Sequence, residues 1–143
     1  MKQYTVGFIY DSDFSHVLLV HKIAPDWQCG LLNGVGGKRE LGENGRECFV
    51  REVKEETNID LKIDEVTTIG FLEDPNGRVE VFGANFQGVL FDAMVFEKEK
   101  IEWFSVDRLP ENVIPNLKWL IPLTIEKLRN NKIKDCLVRY HSF

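Results

Sequence analysis

Cysteine is scarce in this chain, and long apolar runs are missing. The three cysteines, Cys29, Cys48 and Cys136, are widely spaced and never form a C-x-x-C pair, which excludes a zinc ribbon and argues against a disulfide framework. No apolar run approaches the roughly 18 residues that a membrane span needs. Residues 1–4 also lack the apolar stretch of a signal peptide. We therefore expect a protein of the reducing cytoplasm with no membrane partner.

Positive charge is also in short supply. The chain has 18 Lys and Arg residues against 23 Asp and Glu residues, which gives a formal net charge of −5 and a pI of about 5.2. Proteins that bind nucleic acid through its phosphates need a basic surface, so we do not expect a nucleic acid as partner. A small anionic ligand is compatible with this composition where local cations or a metal ion offset the acidic field.

No Ser-, Gly- or Pro-rich linker and no internal repeat divides the 143 residues, so residues 1–143 are treated as one domain. Runs of β-forming residues predict strands at 4–10, 16–20, 66–72, 79–90 and 101–106. We expect the first two to form a hairpin and residues 23–37 to form a long loop around a short strand. Helices are predicted at 44–57 and 114–128. The fold class is therefore α/β or α+β with a mixed, largely central sheet.

The helix at 44–57 carries an unusual strip of acid. Asn44 can cap its first turn, with Glu47 at the capping-box position. Because an α-helix turns by about 100° per residue, Glu52, Glu55 and Glu56 share one side. Like charges at i and i+4 cost about 0.2–0.5 kcal/mol, and acids in the last turn oppose the helix dipole. A divalent cation would reverse these penalties, since hard cations prefer oxygen ligands. A plain solvated acidic face is the alternative.

Two neighbouring features favour the cation. Gly36 and Gly37 precede the helix and permit close approach of the backbone, which could offer a carbonyl to the same ion. Arg51 can pair with Glu47 and Glu55 along the helix and with Glu43 across the loop, which would hold the carboxylates in place.

The segment 37–59, with the pattern Gly37-x5-Glu43-x7-Arg51-Glu52-Val53-x-Glu55-Glu56-x-Asn58-Ile59, resembles the Nudix box of the Nudix hydrolase superfamily. One position departs, because Asn58 stands where the family has glycine. That residue ends the helix in the left-handed conformation, for which Asn is the next-best residue. The resemblance implies the Nudix fold, in which a mixed central sheet is sandwiched between helices.

The resemblance also implies a chemistry. Nudix hydrolases cleave a nucleoside diphosphate derivative by attack of water on phosphorus, with Mg²⁺ or Mn²⁺ as cofactor. Glu52, Glu55 and Glu56 then correspond to metal ligands, with the carbonyl of Gly36 as a further one and Glu52 as the candidate base. Glu43 and Arg51 correspond to the pair that orients the helix. Some members add a downstream glutamate; here the candidates are Glu97, Glu99 and Glu102, although a solvated turn is the favoured interpretation of the first two.

The resemblance implies that substrate choice depends on residues outside the Nudix box. Asn33 and Asn116 resemble the base-reading residues of oxidised-purine nucleoside triphosphatases, and an amide offers both a donor and an acceptor to a purine edge. A loop-capping role is the alternative for each of them. Gly37 and Lys38 are candidates for phosphate contacts. The side chains that could stack on a base, or else pack in the core, are Phe8, Phe82, Trp27 and Trp119. Trp103 is expected in the core.

We therefore predict a pyrophosphohydrolase that acts on (d)NTPs, including oxidised purines such as 8-oxo-dGTP. Cleavage of ADP-ribose or another nucleotide sugar is the alternative, suggested by Pro75, although residues 74–77 form a good turn without a ligand. A nucleotide-sensing domain without turnover is the third interpretation. Residues 136–138 could form a last strand or the contact of a homodimer.

Overall fold

The computed structural model describes residues 1–130 and 132–141. Nine strands and two α-helices are present in these residues. The strands are β1 (Lys2–Tyr10), β2 (His16–His21), β3 (Leu32–Asn33), β4 (Val35–Lys38), β5 (Val66–Asp74), β6 (Gly77–Asn85), β7 (Met94–Val95), β8 (Lys100–Ser105) and β9 (Cys136–Arg139). The helices are α1 (Gly45–Thr57) and α2 (Leu117–Arg129). None of the described helices is long and apolar enough to cross a membrane.

The strands form one mixed sheet in the order β7-β8-β2-β1-β6-β5-β9, with β3 added to β2 and β4 added to β1. The central pair β1 and β6 is parallel over nine residues, and β5 and β9 are also parallel. The other pairs are antiparallel, including the predicted hairpin of β1 and β2. Because neighbours along this sheet come from distant parts of the chain, the sheet assembles the site from several separate segments.

Each face of the sheet carries its own apolar cluster. One contains Phe49 and Val53 of α1 together with Ile9 and Phe82, and the other contains Leu117 and Leu120 of α2. The two helices therefore cover opposite faces, which confirms the expected Nudix-type arrangement of a mixed sheet between helices.

Most predicted boundaries differ from the structure by one or two residues, and two differ by more. The strand expected at 79–90 is β6, which ends at Asn85, because Phe86 leaves the sheet and stacks on Trp103 with 5.8 Å between ring centroids. The helix expected from residue 114 begins at Leu117, because Val113 bridges to Leu32 and the Ile114 N–H donates to the Leu32 carbonyl. The pattern of apolar residues does not distinguish these contacts from a helical turn.

The ambiguous segment 136–138 lies in β9, which pairs with β5 at the edge of the sheet. This confirms the last-strand interpretation; a homodimer remains a prediction. Residues 131, 142 and 143 of the segment 130–143 lie outside the described residues.

Candidate metal and nucleotide site

Helix α1 is fixed at both ends by its own sequence. The Asn44 side chain accepts a hydrogen bond from the Glu47 N–H, and the Glu47 carboxylate accepts one from the Asn44 N–H, which completes the predicted capping box. Asn58 ends the helix with φ 62° and ψ 11°, the left-handed conformation expected from its position. In the middle, Gly7 of β1 leaves the space that the Phe49 ring occupies. The acidic strip is thereby held in one orientation relative to the sheet.

Arg51 is the centre of an ion-pair network along this strip. Its guanidinium lies 2.7 Å from Glu43, 3.0 Å from Glu52 and 3.2 Å from Glu55. The hydrogen bond from Arg51 holds the pKa of Glu43 down at about 2, and Glu43 in turn raises the pKa of Arg51. The pairing expected with Glu47 was wrong, because the Glu47 carboxylate is engaged in the capping box.

The two glycines of β4 have different neighbours. A Cβ on Gly37 would lie 2.5 Å from Glu52 Oε1, so this glycine makes room for the Glu52 carboxylate. A Cβ on Gly36 would lie 2.0 Å from the Thr5 carbonyl oxygen on β1, so this glycine allows the two strands to pair. The Glu52 side chain is only 14% exposed, and its burial raises its pKa. Glu52 is therefore packed against the β4 backbone at Gly37.

Glu56 lies at the last turn of α1 beside a cavity of about 200 Å³. Burial, and then the charge of Glu52, raise the pKa of Glu56 to about 8, and its Oε2 is buried without a hydrogen-bond partner. The other acidic side chains that line the cavity are Glu52, Glu55, Glu97 and Glu99.

This cavity fits a divalent cation in its donor chemistry. Five carboxylates face one small space, and one of their oxygens lacks a partner, which is where an oxygen-seeking ion would be coordinated. Among the described residues, no three His, Cys, Asp or Glu side chains already stand in the arrangement of a finished metal centre. Part of the reason is that Glu52 and Glu55 turn toward Arg51 instead. Binding would therefore draw these carboxylates toward the ion.

The downstream glutamates separate into two groups. Glu97 and Glu99 line the cavity, whereas Glu102 accepts a hydrogen bond from His21 at 2.9 Å on the neighbouring strand and does not line it. The favoured interpretation of Glu99 as part of a solvated turn was wrong: its side chain is 15% exposed and pairs with Lys22 at 3.1 Å. Glu97 itself is exposed at the rim.

The candidate base-reading residues Asn33 and Asn116 belong to two segments that meet in a single β-bridge. The bridge between Leu32 and Val113 places the segment leading to Asn116 beside Asn33. The Asn33 amide donates to Gln28 Oε1 at 3.1 Å, and its oxygen accepts from the Gly34 N–H at 2.8 Å. The Asn116 side chain makes no capping hydrogen bond at the start of α2. Within residues 1–130 and 132–141, the Asn116 amide thus has no capping role, while Asn33 already has internal partners.

The aromatic candidates are sorted by their exposure. Phe8 and Phe82 are completely buried, so they belong to the core and cannot stack on a base. Trp27 and Trp119 are 67% and 38% exposed and stay available. Trp103 packs against the core between Phe86 and Phe91, as expected, although it is not fully buried. Lys38 is exposed beside the helix, and its carbonyl accepts from Arg51.

Sequence reasoning missed Lys22, which lies at the cavity through its contact with Glu99. The two residues are 77 positions apart, and no local pattern joins them. A larger hollow of about 590 Å³ opens on another part of the surface, near the end of α1 and the segment that follows β6. It is lined by none of the predicted site residues.

A family model described as "NUDIX domain" matches residues 1–123. Among curated proteins, an NAD-capped RNA hydrolase from Vibrio atlanticus is 29% identical over 119 residues, which cover 78% of this chain and 42% of that protein. This chain therefore spans well under half of the length of that relative.

Solved structures share the fold. An ADP-ribose pyrophosphatase from Streptococcus suis matches with a TM-score of 0.68 and 22% identity, over 97% of this chain and 98% of that one. A MutT protein from Bacillus halodurans matches with a TM-score of 0.67 and 24% identity, over 99% and 90%. At these identities the likeness concerns the fold.

Proposed function

The chain belongs to the Nudix family, and from that membership we propose that it is a metal-dependent pyrophosphohydrolase that converts (d)NTPs to the monophosphate and pyrophosphate. Oxidised purine nucleotides such as 8-oxo-dGTP are the proposed preferred substrates. The observation that supports the hydrolase assignment is that Glu52, Glu55, Glu56 and Glu97 line one cavity. There, a Glu56 oxygen has no hydrogen-bond partner among the described residues.

Glu52, Glu55 and Glu56, with the Gly36 carbonyl, are the groups that would hold Mg²⁺ or Mn²⁺. Bound there, the ion would neutralise phosphate oxygens and lower the pKa of water. Glu52 is assigned the role of accepting the proton of the attacking water, because its carboxylate lines the cavity beside the other two glutamates of the strip. Arg51 and Glu43 orient the acidic strip through their 2.7 Å contact. Water adds to phosphorus, the P–O–P bond breaks, and pyrophosphate leaves.

Base selection is assigned to the Asn33 and Asn116 amides, with Trp119 or Trp27 stacking on the ring. Support comes from the bridge between Leu32 and Val113, which brings the two segments together, and from the exposure of both tryptophans. Asn33 reads a base by exchanging its contact with Gln28 for one with the purine edge. Gly37 and Lys38 are assigned to the phosphates, where the exposed ammonium of Lys38 supplies a cation.

Cleavage of a dinucleotide pyrophosphate is the second candidate, and the similarity to an NAD-capped RNA hydrolase favours it. Cleavage of ADP-ribose, the alternative suggested by Pro75, has less support, because the turn that contains Pro75 needs no ligand to explain it. The turn at 74–77 is held by the Asp74 carboxylate, which accepts from the N–H groups of Asn76 and Gly77. A sensor without turnover is disfavoured because all three box glutamates are present.

The test is hydrolysis of a panel with Mg²⁺: dGTP, 8-oxo-dGTP, the other (d)NTPs, NAD, ADP-ribose and nucleotide sugars, with products separated by chromatography. Glu56→Gln is the blank for contaminating activity. We expect monophosphate and pyrophosphate from the triphosphates, with 8-oxo-dGTP preferred and the preference reduced in Asn33→Ala and Asn116→Ala. Cleavage of NAD or ADP-ribose with inert triphosphates would overturn the substrate assignment. A wild type as inactive as the blank would overturn the hydrolase.

A further inference from the structure

Residues 97–99, here called the acidic bend, lie between β7 and β8 and border the cavity. The segment that leads to the bend is anchored by aromatic contacts, in which Phe86 and Phe91 pack on Trp103 at 5.8 and 5.7 Å. Those contacts hold the start of the segment. The pairing of Met94 with Ile101 and of Val95 with Lys100 closes the bend as the turn between β7 and β8, and a further attachment ties this turn to the end of β2.

Glu99 supplies that attachment by using both of its carboxylate oxygens. Oε1 lies 3.1 Å from Lys22 Nζ, and Oε2 accepts a hydrogen bond of 2.7 Å from the Ile23 N–H. The Lys22 and Glu99 side chains are 17% and 15% exposed, so the pair is largely shielded from solvent. Such a two-point contact defines a geometry better than an exposed ion pair does.

The charge around the cavity makes this contact necessary. Five carboxylates and one cation, the exposed Lys98, line it, so negative charge is in excess there and the carboxylates repel each other. Arg51 pairs with Glu52 and Glu55 on one side, but it does not reach the bend. On the side of the bend, the largely buried cation that contacts a cavity carboxylate is Lys22. Without Lys22, the bend would keep the β7–β8 pairing and the hydrogen bond from the Ile23 N–H but lose the cation that balances Glu99.

We propose that Lys22 is a positioning residue of this site: by pairing with Glu99 it holds the acidic bend against the end of α1 and so keeps Glu97 on the cavity. The inference rests on the proposed hydrolase only for the role of Glu97. The attachment of the bend by Lys22 stands on the contacts alone.

The experiment compares Lys22→Met, Lys22→Arg and Glu99→Gln with the matched control Lys100→Met in the full-length protein. Lys100 is an exposed lysine of β8 next to the bend, 3.8 Å from Glu102, and it does not itself line the cavity. Hydrogen–deuterium exchange of the peptide that spans the bend is measured without substrate. We expect exchange to accelerate at least about tenfold in Lys22→Met, to recover in part in Lys22→Arg, and to stay unchanged in the control.

Kinetics then test the consequence for Glu97. If the bend presents Glu97 to the cavity, Glu97→Gln lowers kcat in the wild type, and the same change has little further effect in Lys22→Met. A purely structural ion pair would instead lower the melting temperature and leave the two changes independent. Glu99→Gln keeps the shape of the side chain, so it carries the same test if Lys22→Met does not fold.

Unchanged exchange in both Lys22→Met and Glu99→Gln would overturn the proposal, as would a Glu97→Gln protein with wild-type kcat or an additive double variant. A wild type that hydrolyses nothing in the panel would be a failure of the proposed function. The exchange measurement would still decide whether Lys22 holds the bend.

Discussion

At the scale of single residues, the glutamates of the site differ in the cation that balances their negative charge. Glu43 has a dedicated cation in Arg51 and keeps its negative charge with a pKa of about 2. Glu99 has Lys22. Glu56 is buried at the cavity with one oxygen unpartnered, and the pKa near 8 is the cost of that position. Among the described residues Glu56 has no ion-pair partner, and the charge of Lys22 offsets its burial only in part, so a bound ion would stabilise this carboxylate.

The raised pKa of Glu56 has a consequence for stability. Between the ordinary value of 4.5 and the folded value of about 8, the folded protein keeps a proton that the unfolded chain has released. Stability without metal therefore falls as the pH rises through this window. We expect Glu56→Gln, which is neutral throughout, to gain stability relative to the wild type across it.

Urea unfolding in EDTA from about pH 5 to about pH 9 measures the difference. Parallel profiles for Glu56→Gln and the wild type would contradict the prediction. Added Mg²⁺ should stabilise the wild type more than the variant at the upper end of the range, because only the wild type regains a charge that the ion can bind.

At the scale of elements, strand β4 supports helix α1 through two adjacent glycines with different duties. Gly36 faces the backbone of β1, and Gly37 faces the Glu52 carboxylate. A Cβ added at Gly36 would collide with the rigid backbone of Thr5, whereas a Cβ added at Gly37 would collide with the end of the flexible Glu52 side chain.

We therefore expect alanine at Gly36 to reduce mainly stability and alanine at Gly37 to reduce mainly activity. Gly36→Ala should disrupt the pairing of β1 with β4 and cost about 2–4 kcal/mol of unfolding free energy, since the Thr5 carbonyl cannot easily retreat. Gly37→Ala should shift the Glu52 carboxylate, lower kcat by at least about tenfold and change stability by less than about 1 kcal/mol. Thermal unfolding and kcat of both variants check the pair. Equal losses of stability would contradict this division.

At the scale of the whole molecule, the sheet lies between the site, on the face covered by α1, and helix α2 on the opposite face. Lys127 of α2 is 6% exposed, and its ammonium donates to the Ile69 carbonyl and to Asp135 at 2.6 Å. It thereby joins α2, β5 and the approach to β9. This junction is separate from the cavity and does not contribute to its lining.

Lys127→Met should consequently lower stability without lowering activity. The loss of hydrogen bonds from a charged donor predicts a decrease of about 1.5–3 kcal/mol in unfolding free energy. Asp135 is 59% exposed and can be solvated after the change. Chemical denaturation and kcat/KM below the melting temperature check the prediction. A large fall in kcat/KM of the folded variant would show that this junction also supports the site.

The local features of the site were predictable because they depend on residues within a few turns of each other. The capping box of Asn44 and Glu47, the left-handed Asn58 and the pairs of Arg51 with Glu43 and Glu55 all follow from short spacings. The position of Glu99 was predicted wrongly. In the stretch 97–100, charge alternates as in a solvated turn, and only the pairing of β2 with β8 brings it to Lys22.

The sequence by itself determined the acidic strip of α1, the glycines before it, the family and the class of fold, because helix period, caps and motif spacing are local properties of the chain. Tertiary structure decided which carboxylates share a cavity, which aromatics are buried and which cation holds the acidic bend. These outcomes depend on strand order and register between distant segments. The contact of Lys22 with Glu99 alone spans 77 residues, and such long-range pairings leave no periodic signal in the sequence.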